Sequence, residues 1–285
     1  MTKRRVLVVG YPKSGNTWLT RLTAELLGAP VRGFWKEPHN NDVAIEGQGR
    51  ESDIEVFKGH HSYGAMRRDF SLADVVYVVR DVRDVAISGA NFFSFRPPSW
   101  LGKVTHSTRR LLPAARKEWL ESVRLCRMIL TLADGNREVN PWCAQAWDEH
   151  IYAYLDAGAC VIRYEDLLTQ PGRECRRLLA HFGVERSAAQ IHHAVANQSF
   201  RAAKRRFLEQ GDEKRADFLR EGRAGAWWDE LSPAQRQFCA ERFGKMLTTL
   251  GYPATDGQVS PDQLGADQSG LDQPIDLREL TGAAD

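Results

Sequence analysis

One stretch constrains this chain more than any other. The apolar run Val6-Leu7-Val8-Val9 stops at Gly10 and gives way to the turn Tyr11-Pro12-Lys13-Ser14-Gly15-Asn16. Thr17-Trp18 then opens a segment with Leu19, Leu22 and Leu26 at helical spacing, and Gly28 follows as a natural stop. An apolar run without alternation suits a strand buried on both faces, as in a parallel sheet. Between strand and helix, backbone N–H groups of the turn and of the helix N-terminus converge, and the helix dipole adds positive potential, so the turn favours an anion. Lys13 supplies a full charge, and Ser14 and Thr17 supply hydroxyls. The spacing nearly matches the phosphate loop GxxxxGK[ST], but Asn16 stands where that lysine belongs, and the lysine sits inside the turn at 13.

Further runs extend the pattern. Val75-Val76-Tyr77-Val78-Val79 and Ala159-Cys160-Val161-Ile162 read as buried strands. Helices are expected at 84–93, 114–133 and 141–157 and through most of the chain to Leu250, with a loop at 94–113. Strands alternating with helices predict an α/β fold: a central parallel sheet flanked by helices, with a P-loop-like strand–loop–helix nucleotide site. We expect one catalytic domain over 1–252 and a disordered tail over 253–285. The tail has seven acids, one arginine and no aromatic residue, too little apolar surface to offset its ordering entropy. It conceals a charge asymmetry. The net charge of +2 over 285 residues divides into −6 in the tail and +8 in the rest, where 38 bases face 30 acids. A basic body favours an anionic ligand. Five dispersed cysteines suggest buried thiols rather than disulfides or zinc, and no metal site is expected. No signal peptide or membrane span is evident, so a cytoplasmic protein without a membrane partner is expected.

Several segments, in order, resemble the cytosolic-type sulfotransferases, which use 3′-phosphoadenosine 5′-phosphosulfate (PAPS) and release 3′,5′-bisphosphoadenosine (PAP). Tyr11–Trp18 is similar to the family's 5′-phosphosulfate loop, which implies donor contacts from Lys13, Ser14, Gly15, Asn16, Thr17 and Trp18. Val76–Ser88 resembles the 3′-phosphate segment, with Arg80 and Ser88 in its binding positions. Tyr164, in Val161–Leu167, and Phe200, in Gln198-Ser199-Phe200, match aromatics placed near the adenine. Phe218–Trp227 resembles the RKGxxGxW element, implying Arg220, Glu221 and Gly222 at the 3′-phosphate; Glu221 replaces that element's lysine, and Arg223 or Arg201 could compensate. The family's dimerisation motif, due near Trp228, is absent, so the oligomeric state stays open.

The K-x-H element of that family is matched by Lys58 and His60, two residues apart and thus on the same side of an extended chain. A neutral imidazole can take the proton of an acceptor hydroxyl. Ammonium groups of Lys13 and Lys58 can offset charge on the departing phosphate oxygen. The expected catalytic set is His60, Lys58 and Lys13, with His61, His106 or an acid such as Glu37 as competing bases. The expected reaction is sulfuryl transfer from PAPS to a hydroxyl, less often an amine, of a small organic acceptor. Gly33-Phe34-Trp35, residues 92–100 and Trp142 could line its pocket or belong to the core. Two other readings compete: a P-loop kinase or nucleotide hydrolase using Mg-ATP, with Asp81 as the best metal-binding acid, and a basic nucleic-acid-binding module. The second is disfavoured because the cations gather around one anion site.

Overall fold

A computed structural model of the chain describes residues 3–37, 42–95, 113–209, 211–213 and 224–255, with backbone alone at 113–118. The described residues of 1–80 and 151–225 form one compact unit, and those of 81–150 and 226–259 form another.

The first unit holds a five-stranded parallel sheet, β1 (Arg4–Gly10), β2 (Val31–Phe34), β3 (Ile54–Gly59), β4 (Val75–Val79) and β5 (Cys160–Arg163), in the order β2-β3-β1-β4-β5. Val6–Val9 and all five residues of β4 are buried, as their unalternating sequences require of inner strands. The helix α1 (Asn16–Leu27) packs on β1 and β3 and ends at Gly28, whose φ of 64° is the left-handed cap expected of that glycine. Leu19, Leu22, Leu26, Val6, Val8, Val76, Val78 and Ile162 share one core with Leu178, Phe182 and Ile191 from the helices Pro171–Phe182 and Ala188–Asn197.

In the second unit, α3 (Val82–Phe92), preceded in the chain by the short helix α2 (Tyr63–Met66), packs against the helices Pro113–Asp134, Trp227–Glu230 and Pro233–Thr249. Asp81 caps α3: Oδ1 accepts from the Arg83 amide at 2.9 Å, and the Arg83 side chain forks onto both carboxylate oxygens at 2.9 and 2.7 Å. The Arg83 guanidinium lies 3.6 Å from the centre of the Trp227 ring, and the Trp227 amide donates to Asp84 Oδ1 at 3.0 Å. Asp81, Arg83 and Asp84 are buried, so this is a structural knot.

Two sequence expectations need correction. The expected helix over 141–157 is a 3₁₀ turn, Pro141–Cys143, and a separate helix, Trp147–Asp156. Asn140 caps the turn through Trp142 N, and the Cys143 carbonyl accepts from Asn136 N at 2.6 Å, which bends the chain back on itself. Pro113 belongs to a helix, not to the preceding loop, because proline is tolerated at a helix's first turn. Residues 96–112 of that loop and the tail from 256 lie outside the described residues.

Candidate active site

The carboxyl ends of parallel strands are where α/β folds bind ligands. Here β1 ends at Gly10 and leads into the turn, β3 ends in Lys58-Gly59 and leads into His60, and β4 leads into Arg80. β5 leads into Tyr164, the first residue of a helix, Tyr164–Thr169, and β2 ends at Phe34. Parallel register places Lys58 opposite Val8 on one side and Phe34 on the other.

The turn is conformationally strained in the way anion loops are. Lys13 has φ 74°, a left-handed value that is rare outside glycine, and Gly15 has φ 95°. Ser14 N donates to Tyr11 O at 3.2 Å, and Leu19 N returns to Gly15 O at 3.1 Å. The Ser14 hydroxyl is fully buried, yet Oγ has no hydrogen-bond partner among the described residues. A buried unpartnered hydroxyl is costly, so its place in this turn fits a ligand oxygen.

Asn16, standing where a nucleoside-triphosphate loop carries lysine, uses its amide as a staple. Nδ2 donates to the carbonyls of Gly10 and Gly59, both at 3.1 Å, and so ties the ends of β1 and β3 together. The Gly10 carbonyl has a second donor: His60 Nδ1 lies 2.7 Å from it. A carbonyl only accepts, so Nδ1 donates this hydrogen bond and Nε2 is the ring nitrogen left to exchange a proton.

Lys58 is almost wholly buried. Its Nζ donates to Thr17 Oγ1 and to Asp42 Oδ1, each at 3.0 Å, and lies 4.4 Å from the centre of the Phe34 ring. Burial pushes its pKa down, against the upward pull of the Asp42 carboxylate. Phe34 also faces the His60 ring at 5.5 Å, so Lys58 and His60 share one side of the strand. His61 faces away: its ring meets Trp35 at 4.5 Å, Trp35 meets Phe70 at 5.2 Å, and burial lowers the His61 pKa. Trp35 is accordingly core, and Phe34 is the aromatic of that pair which borders Lys58 and His60.

Trp18, Tyr164 and Phe200, widely separated in sequence, form one aromatic cluster. Trp18 meets Tyr164 at 5.6 Å and Phe200 at 5.2 Å. The Arg80 guanidinium lies 4.6 Å from the centre of the Tyr164 ring, and Arg80 Nη1 reaches Lys13 O at 3.5 Å. Ser88 is half-buried on α3 in the second unit. Arg220, Glu221, Gly222, Arg223 and His106 lie outside the described residues. Asp42 was not foreseen, because an isolated acid in a segment without periodicity carries no signal until the fold sets it beside Lys58.

Asp81, the acid that an Mg-ATP enzyme needed, is engaged by the side chain and the backbone amide of Arg83. Among the described residues, no three His, Cys, Asp or Glu side chains gather as metal ligands do.

A parallel sheet with a left-handed turn, a buried lysine and a histidine at its carboxyl edge defines a P-loop-like α/β protein. The family model described as "Sulfotransferase domain" matches residues 35–251, and the chain belongs to that family of enzymes. It is 22% identical to sulfotransferase 2A1 of Macaca fascicularis over 86% of this chain and 85% of the relative, and 20% identical to sulfotransferase 1A1 of Bos taurus over 85% and 83%. Among solved structures, mouse sulfotransferase SULT7A1 complexed with PAP superposes with TM-score 0.59 at 15% identity, over 86% of this chain and 84% of that one. Retinol dehydratase in complex with androsterone and inactive cofactor PAP gives 0.51 at 17% identity, over 90% and 83%. At such identities these likenesses speak to the fold.

Proposed function

We propose that this protein transfers a sulfuryl group from PAPS to a hydroxyl of a small organic acceptor, with His60 as general base and residues 1–252 as the catalytic body. The observation that carries this reading is the 2.7 Å hydrogen bond from His60 Nδ1 to the carbonyl of Gly10, the last residue of β1 before the turn, which leaves Nε2 as the nitrogen that can take a proton. Bound PAPS supplies a sulfuryl group on a good leaving group, the 5′-phosphate oxygen of PAP. Lys13, the buried Ser14 hydroxyl, Thr17 and the N-terminus of α1 hold its sulfate end, and Arg80 offers a guanidinium fork for the 3′-phosphate. As the acceptor oxygen bonds to sulfur, its proton passes to His60 Nε2. The sulfur–oxygen bond to the phosphate breaks, and its electron pair stays on PAP. Phe34 offers an apolar wall to the acceptor. Androsterone, a steroid, belongs to a neighbour's complex, and it suggests acceptors of similar apolar bulk for screening.

Thermal shift and transfer assays test this together. PAP should stabilise the protein without Mg²⁺, by about 2.7 kcal/mol at 100 times Kd. His60→Ala should keep that stabilisation and lose roughly 10²- to 10⁴-fold in transfer. Stabilisation by Mg-ATP but not by PAP would overturn the donor, and a fully active His60→Ala would overturn the base.

A further inference from the structure

The buried partner of Lys58 is assigned no task by the reaction as written. Asp42 is 3% exposed, and its Oδ1 accepts from Lys58 Nζ at 3.0 Å and from Ala44 N at 3.2 Å. Its segment is fastened beyond that pair: Ala44 lies in the main core, and Glu46 pairs with buried Arg21 of α1 and accepts from Gln198 Nε2 at 2.7 Å. The carboxylate is therefore a fixed feature of the site.

Resting on the function proposed above, we propose that Asp42 is a positioning residue: it holds Lys58 charged and directed at Thr17, at the N-terminus of α1 where the donor's sulfate end binds. An ammonium has three protons, and those of Lys58 meet Thr17 Oγ1, Asp42 Oδ1 and the face of Phe34. By accepting from Lys58, Thr17 Oγ1 keeps its own proton to donate to the ligand. Burial alone favours neutral Lys58, which could lend no charge to the leaving group. Of the described groups packed around the ammonium, Val8 and Phe34 on the flanking strands are apolar and Thr17 on α1 is neutral; His60, just past the end of β3, faces the same Phe34 ring. Asp42 supplies the opposing charge.

The test compares the pH dependence of kcat for the full chain and for Asp42→Asn, an isosteric change that deletes the charge. Without the carboxylate, Lys58 should lose its proton at lower pH. The alkaline fall in kcat should then move to lower pH by at least one unit, with kcat at neutral pH down about 10²-fold. KM for PAPS should change less than kcat, and PAP should still raise Tm. Asp42→Glu keeps the charge but shifts it by a methylene, so its kcat should fall while its alkaline limb stays with the native one. If Asp42→Asn does not fold, that Glu variant decides: a displaced limb overturns the proposal. An Asp42→Asn profile parallel to the native one also overturns it, because a purely structural loss is equal at every pH. Failure of the native protein to bind PAP or transfer sulfuryl groups overturns the function itself, and native activity read in the same series separates the two outcomes.

Discussion

Gly15 shows how closely single residues are specified around the turn. Its φ of 95° is strained for any L side chain, and a Cβ there would lie 2.5 Å from Tyr164 Cδ2. Gly15→Ala should therefore displace Tyr164, which carries Arg80 on its face, and with it the loop. We expect a stability loss of about 1–3 kcal/mol and a PAP-induced thermal shift reduced far more than that loss explains; calorimetric titration with PAP checks it. Lys13, Lys58 and His60 stood out in the sequence as candidates because the chemistry expected of them comes in short motifs. Asn16 was legible only as a departure from the lysine of a triphosphate loop, and its stapling of two strand ends needed the fold. Asp42 was not legible at all, since its meaning lies in a 3.0 Å contact across 16 residues with no pattern between.

At the scale of elements, legibility followed burial. Residues 6–10 of β1 and all of β4 are buried, and β5 was visible as a short apolar run; each read directly from the sequence. β3 mixes Glu55 and Lys58 with apolar residues and gave only a strand-like lead-in. β2 is a four-residue edge strand, Val31-Arg32-Gly33-Phe34, too short and too polar to be separated from a loop. At the start of α3, alternating charges close on one another and on Trp227, an arrangement that spacing alone does not show. Asp81→Ala deletes the α3 cap and leaves the Arg83 guanidinium buried without its carboxylate. That should cost about 3–5 kcal/mol in unfolding free energy, and urea denaturation followed by tryptophan fluorescence reads it directly.

For the whole molecule, thiol chemistry gives an independent check on the core. All five cysteines are free; Cys126 is exposed, Cys160 is half-buried, and Cys143, Cys175 and Cys239 are buried. Burial pushes the thiols of Cys175 and Cys239 up to about 12, so at pH 8 only about one in 10⁴ of either is thiolate. A disulfide reagent should titrate Cys126 quickly and Cys160 more slowly, and the other three only on unfolding; fast reaction of Cys175 would contradict the packing of its helix. No helix among the described residues is long and apolar enough to cross a membrane. The sheet order carries a consequence for how the chain comes off the ribosome. β4 pairs with β5, yet the sequence between them includes the described residues 81–150 of the second unit. A nascent chain holding β1 and the turn after it must wait for that long excursion before the sheet closes. Tyr164 and Phe200, which pack against Trp18 at the foot of the turn, emerge later still. The first motif to be synthesised is thus among the last to be completed, and donor binding should appear in nascent chains only after roughly two thirds of the protein has been made.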